Sequence, residues 1–166
     1  MLPEYQKIIQ QSKLKSAENK KFYERLKKIK PNDLDAIVNQ LNDEAFEKID
    51  CLQCANCCTT TGPLLKDKDI DKLAIETKLK PSQFAEKYLR IDEDYDYVFK
   101  QMPCPFLGDD KYCSVYKNRP GACRDYPHTQ QNKMHNKLAI TYLNSMICPA
   151  VAMVTEGLKL KYQPNK

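Results

Sequence analysis

The sequence predicts a mainly α-helical fold with a small β-hairpin and an irregular, cysteine-rich core packed among the helices. Three observations point there. Apolar residues recur at helical spacing through most of the chain. Strand-like alternation is confined to one stretch around Gly108-Asp109-Asp110-Lys111. The cysteines cluster where turn residues are dense, and Cys51, Cys54, Cys57 and Cys58 fall together.

The elements follow in order. Residues 4–29 read as one long, lysine-rich helix. Tyr5, Ile8 and Ile9 form one apolar patch on it, and Phe22, Leu26 and Ile29 form another. The stretch between is nearly all polar. That pattern fits a solvated helix with two docking points; a membrane-surface helix needs a continuous apolar face. Pro31 ends the helix. Asn32 is placed as the N-cap of the next, with Asp35 completing a near capping box. Leu34, Ile37, Val38, Leu41, Ala45, Phe46 and Ile49 then give the most regular amphipathic stripe in the chain, leading straight into Cys51. After a loop at 59–63, Asp67 is placed as the cap of a helix to residue 78, with Ile70, Leu73, Ala74 and Thr77 inward. Pro81 opens another helix, where its missing N–H costs nothing. Residues 91–95 read as an acidic connector. Residues 97–101 and 112–116 are expected to pair as the hairpin, carrying Cys104 and Cys113. Residues 119–127 form a compact turn or single helical turn, and 133–146 a helix. Cys148-Pro149 opens the last helix, with Ala150, Val151, Val154 and Leu158 as its inner stripe.

The 166 residues suit one domain. Residues 1–50 are expected as an N-terminal helical segment packed on the core, and 51–166 as a cysteine-cluster domain with C-terminal helices. No run approaches the roughly 18–20 apolar residues of a membrane span. The start shows no basic stretch followed by an apolar one, so no signal peptide is expected. The expected compartment is the reducing cytoplasm, which argues against a scaffold of disulfides.

Cys51-Leu52-Gln53-Cys54-Ala55-Asn56-Cys57-Cys58 contains the Cys-x-x-Cys spacing twice in tandem. That spacing lets two sulfurs converge on one soft ion, as in zinc sites and iron–sulfur runs. A thiolate needs a nearby cation, because a free thiol titrates near 8.5. The competing reading is redox, as a disulfide or a thioredoxin-type pair. Adjacent side chains such as Cys57 and Cys58 are expected to diverge, serving two metals or dividing ligation from packing. Cys104, Cys113, Cys123 and Cys148 are scattered, as ligands collected by a fold would be; the alternative is four small buried apolar residues. Cys104 and Cys148 precede proline, and Cys148 is placed as the N-cap of the last helix, where the dipole favours a thiolate. The candidate metal ligands are therefore Cys51, Cys54, Cys57, Cys58, Cys104, Cys113, Cys123 and Cys148, holding zinc or an iron–sulfur cluster. Arg119 and Arg124 flank Cys123 and are expected to compensate thiolate charge, since arginine stays charged at any physiological pH. His128 and His135 are the only histidines, and His128 is read as a surface or capping residue, with a ligand role as the alternative.

These residues carry a resemblance. The cysteine run, then Gly62-Pro63, Asp69-Ile70, Cys104-Pro105-Phe106-Leu107, and Cys113 through Tyr116, Arg119-Pro120, Cys123-Arg124 and Tyr126-Pro127, resemble the YkgJ-type cysteine-cluster family, also called the CxxCxxCC zinc- or iron-chelating domain. The likeness covers residues 51–148. The family often has glycine where this chain has Ala55. The resemblance implies metal chelation and no settled reaction. Flagellin lysine N-methylases are similar through the cysteine region, so a lysine N-methyltransferase-like enzyme is one alternative, though no glycine-rich nucleotide-cradling loop is present among only four glycines. A zinc-module adaptor with a protein partner is the other. The net charge of +5 would suggest nucleic acid. Eight thiolates with two divalent ions bring the balance to about +1, so a nucleic-acid partner is not expected and neither is a membrane.

Overall fold

Helical spacing in the sequence becomes helices in space, and breaks wherever one straight rod cannot bury two patches. The computed structural model describes residues 1–163. In chain order it runs α1 (Pro3–Leu14), α2 (Ser16–Ile29), α3 (Leu34–Phe46), α4 (Cys51–Cys54), α5 (Asn56–Thr60), α6 (Asp67–Glu76), α7 (Pro81–Tyr88), β1 (Leu89–Ile91), β2 (Tyr97–Phe99), α8 (Gly121–Asp125), α9 (Leu138–Ser145) and α10 (Pro149–Tyr162), with short 3-10 turns at Tyr116–Asn118 and Met134–Asn136. The fold is mainly α with one small antiparallel hairpin. Its contacts define two units: Met1–Cys54 with Pro127–Lys166, and Ala55–Tyr126.

The first unit is a helical assembly around α3 and α10. The helix expected over residues 4–29 breaks at Lys15. Thirteen residues separate Ile9 from Phe22, and at about 100° per residue a straight helix would leave them on faces about 140° apart. The break turns both inward, and both are buried. Val38, Leu26, Val151, Val154 and Leu158 fill the interior. Gly157 lets α10 pack close to α3, since a Cβ there would stand 2.6 Å from Leu41 Cδ2. Several polar groups inside are paired, though the buried Asn19 Oδ1 is not. The Tyr23 hydroxyl meets Thr155 Oγ1 at 2.9 Å, and Thr129 Oγ1 donates to Asn42 Oδ1 at 2.6 Å. Lys159, though buried, reaches Glu18 at 2.8 Å and Glu156 at 3.1 Å. Asp33, not Asn32, is the N-cap of α3. Asp35 accepts the backbone N–H groups of Lys133 and Met134, each at 2.8 Å, and so opens the 3-10 turn instead of closing a capping box.

The second unit packs α6 and α7 with the hairpin around Leu65, Ile70, Leu73, Phe84, Leu89, Phe99, Phe106 and Val115. Phe84 and Phe106 stack with centroids 6.1 Å apart. The hairpin differs from expectation. Tyr97–Phe99 pairs with Leu89–Ile91, and residues 112–116 do not form the returning strand. Asp92 supplies the reason. Its Oδ1 accepts the N–H groups of Asp94 and Asp96, each at 3.0 Å, folding the acidic connector into the hairpin turn. The turn at 108–111 does form, but the ladder beside it is a single bridge, Leu107 with Cys113. Pro103 and Pro105 lack the N–H groups a longer ladder would need. Lys66 is the N-cap of α6, and Asp67 is its first residue.

Candidate metal centre

In the first unit, the chain's approach to Cys51 is held by hydrogen bonds. The Tyr5 hydroxyl accepts the Asp50 N–H at 3.0 Å and donates to the Lys48 carbonyl at 3.4 Å. The Asp50 carboxylate then accepts from the Leu52 N–H at 2.8 Å and from Gln53 Nε2 at 3.1 Å, which starts α4. Cys51 and Cys54, three residues apart on one helical turn, share a face. Cys51 is exposed and Cys54 is buried. Cys148 is the N-cap of α10, as the sequence indicated, and is buried. Burial pushes its thiol up to about 12; the N–H groups of Val151 and Ala150 draw it part of the way back, and the nearby Cys51 and Cys54 push it up further. Cys54 Sγ lies 3.9 Å from the thioether sulfur of Met1.

The second unit begins at Ala55, whose φ of 47° places it in the left-handed region. This residue separates α4 from α5 and stops the tandem spacing from running along one helix. It also gives a physical reason for glycine at this point in the family, since a Cβ is strained there. Cys57 and Cys58 do not diverge as expected: their sulfurs are 4.0 Å apart. The Cys104 N–H donates to the Cys58 carbonyl at 2.8 Å, which ties the first Cys-Pro segment to α5. Cys113 follows the 108–111 turn, and Cys104 and Cys113 both pack against the aromatic core. Cys123 sits in α8, whose first N–H, that of Gly121, donates to Asp69 Oδ1 at 3.1 Å.

The thiols of this unit divide electrostatically. A hydrogen bond from Cys57 holds Cys58 down to about 7, against the effect of burial, and Arg119 pulls the same way. Burial pushes Cys104 up to about 11 and Cys123 up to about 12, and neighbouring thiols add to the rise. Cys113 is raised for the same first reason. Arg119 opposes the rise at Cys113 and Cys123. Its guanidinium carbon stacks 4.0 Å from the Tyr116 ring centroid, so the cation is held in place. Arg124 does something else: its Nη1 donates to the Arg119 carbonyl at 2.8 Å and braces the turn.

The donor chemistry suits a thiophilic metal. None of the eight cysteines is in a disulfide. A tetrahedral site with metal–sulfur bonds of about 2.3 Å spaces its sulfurs about 3.8 Å apart. Cys57–Cys58 at 4.0 Å and Cys54–Met1 at 3.9 Å are pairs in hydrogen-bond contact. Among the described residues, no three Cys, His, Asp or Glu side chains converge where they could hold a metal ion. The sulfurs line the edges of the packed cores more than they fill them: only Cys54 and Cys148 are buried. His128 Nδ1 lies 3.3 Å from Gln131 Nε2, and His135 is exposed in the 3-10 turn. Sequence reasoning missed Met1, Tyr5 and Asp50. Asp50 beside Cys51 was the one readable signal, since aspartate commonly opens a helix.

Comparison with known proteins agrees with metal chelation in general. The family described as "Putative zinc- or iron-chelating domain" matches residues 50–146. The uncharacterized protein MJ0661 of Methanocaldococcus jannaschii is 33% identical over 95 residues, which cover 55% of this chain and 50% of that protein. The chain thus spans about half the length of this curated relative. No solved structure matches. With more than half its length matched, from Asp50 through the last helix before Cys148, the chain belongs to the CxxCxxCC family.

Proposed function

We propose that this protein holds zinc or an iron–sulfur cluster through the thiolates of Cys51, Cys54, Cys57, Cys58, Cys104, Cys113, Cys123 and Cys148. The observation that carries the reading is the proximity of reduced thiols within each unit. Cys51 and Cys54 influence Cys148 in the first; Cys57, Cys58, Cys104, Cys113 and Cys123 influence one another in the second, beside Arg119. A bound cation lowers thiol pKa values and removes the protons that burial otherwise retains. Arg119 offsets part of the negative charge a tetrathiolate site carries, which matters because buried net charge is costly. The cytoplasm, where thiols stay reduced, is the compartment this chemistry suits.

Anaerobic purification followed by a visible spectrum and quantification of zinc, iron and acid-labile sulfide tests the proposal. A brown protein with sulfide identifies a cluster, and a colourless one with stoichiometric zinc identifies a chelate. A protein with neither metal above background, after loading under reducing conditions, defeats the reading.

A further inference from the structure

The hairpin of the second unit has one occupied edge and one open edge. The Lys100 N–H donates to the Tyr88 carbonyl at 2.9 Å, and the Asp92 N–H to the Asp96 carbonyl at 3.0 Å, which fixes the parity of the ladder. Arg90 therefore exchanges its bonds with Val98, whereas Leu89 opposite Phe99 and Ile91 opposite Tyr97 are non-hydrogen-bonded pairs, with N–H and C=O groups turned away from the partner strand. On β2 that outer side is taken: the Tyr97 carbonyl accepts the Leu65 N–H at 2.8 Å. On β1 the Leu89 N–H closes the end of α7 on the Ala85 carbonyl. The Ile91 N–H and C=O face outward, on a residue 57% exposed and next to an exposed Arg90.

We propose that this open edge pairs with the same edge of a second copy of the chain, antiparallel about a two-fold axis at Ile91, to make a four-stranded sheet in the order β2-β1-β1-β2. An open strand edge is a template for another strand, and charge selects both the occupant and the register. With Ile91 opposite Ile91, those residues exchange both backbone bonds. Arg90 of each copy then falls directly opposite Asp92 of the other, in a non-hydrogen-bonded pair, where facing side chains stand closest. A register centred on Arg90 sets like charges face to face and calls on the Leu89 N–H, which α7 already uses. Asp92 Oδ1 holds the turn through the Asp94 and Asp96 N–H groups, so Oδ2 is the atom that meets the second copy's Arg90. The antiparallel sense also carries the acidic turn toward the end of α7 in the other copy, where Lys87 stands, and keeps the two acidic turns at opposite ends. Ile91 lies on the side of the sheet that carries Leu89 and Phe99 into the core, so Ile91 against its copy extends that core. Pairing over so few residues buries little area, and the dimer is of the weak, concentration-dependent class.

The test is sedimentation equilibrium of the full chain, anaerobic and reduced so that no disulfide joins two copies, between about 10 µM and 1 mM. Amide hydrogen exchange at Ile91 is followed over the same range. Two variants accompany the wild type. Ile91→Pro removes the outward N–H and leaves the β1–β2 ladder its bonds. Arg90→Glu, at an exposed position, sets a carboxylate opposite Asp92 of the other copy; circular dichroism melts check that both variants fold. The expected result is a wild-type dimer fraction that grows with concentration and falls with added salt, together with slowed exchange at Ile91. Arg90→Glu should weaken association by about tenfold or more, and Ile91→Pro should abolish it. Wild-type protein that stays monomeric throughout overturns the proposal. So does a dimer that Arg90→Glu leaves at wild-type strength, with Ile91 exchange independent of concentration, since the copies then meet elsewhere.

Discussion

Ala55 shows how a single backbone angle shapes the cysteine run. With φ at 47° it forces the chain to turn between Cys54 and Cys57. An L-residue in this region is strained by about 1–2 kcal/mol, which glycine avoids. Ala55→Gly is therefore expected to raise the midpoint of thermal unfolding by about 2–4 °C, after allowance for the freedom glycine adds to the unfolded chain. Differential scanning calorimetry of the metal-free protein reads this directly, and a lowered midpoint would mean the Cβ packs more than it strains. Cys58 gives a second prediction. Held to about 7 by the Cys57 hydrogen bond and by Arg119, it should be the thiol alkylated fastest at neutral pH in metal-free protein. Cys57→Ala and Arg119→Gln each remove a lowering influence, so each should slow alkylation of Cys58 several-fold, as followed by peptide mass spectrometry. Arg124→Gln, which loses only a backbone contact, should not.

Among the elements, Asp69 joins a helix start to a proposed ligand. Its carboxylate accepts the Lys66 N–H at the beginning of α6 and the Gly121 N–H at the beginning of α8, both at 3.1 Å. Cys123 follows two residues later in α8. Asp69→Ala should cost about 1–3 kcal/mol, because two N–H groups lose a charged acceptor. It should also weaken metal retention in the second unit; urea unfolding with and without metal separates the two effects. Asp69→Asn, which keeps one acceptor, should lie between. The helices themselves were legible where a stripe is regular and long: α3 and α10 follow their apolar residues closely. The break at Lys15 was not, since lysine carries no helix-ending signal and the cause is the distant placement of Ile9 and Phe22. Strand β1 was hidden because Leu89-Arg90-Ile91 continues the composition of α7, and only pairing with Tyr97–Phe99 reveals it. The cysteines could be read from spacing alone. The Met1–Cys54 contact could not, because 53 residues separate the two sulfurs and no local pattern encodes the approach.

Taken together, the thiols make stability depend on pH in opposite ways with and without metal. Cys104, Cys123 and Cys148 are raised to about 11 or 12 from an ordinary 9.0. Groups raised on folding stabilise fully below their unfolded value, and that contribution is lost as pH climbs toward the folded one. The metal-free protein should therefore lose stability between about pH 9 and 12. Cys58, lowered to about 7, acts the other way, and its contribution fades from pH 9 down through 7. In the loaded protein the ligating thiols have already lost their protons, so alkaline melting should be flatter, while acid displaces the metal. Circular dichroism melts across this range, before and after chelation, measure the difference. Identical alkaline profiles with and without metal would show that the thiols do not ligate it.

The division into units has a further result for how the molecule is made. The first unit is discontinuous: the chain leaves it after Cys54 and re-enters at Pro127. Synthesis proceeds from the N-terminus at about 5–20 residues per second, and units fold as they emerge. Every residue of the second unit, with Cys57, Cys58, Cys104, Cys113 and Cys123, is polymerised before the ribosome reaches α9 and α10. The first unit must wait for those two helices, and for Cys148 with them. On a nascent chain, the cysteines therefore become available in a fixed temporal sequence, those of the second unit first and Cys148 last.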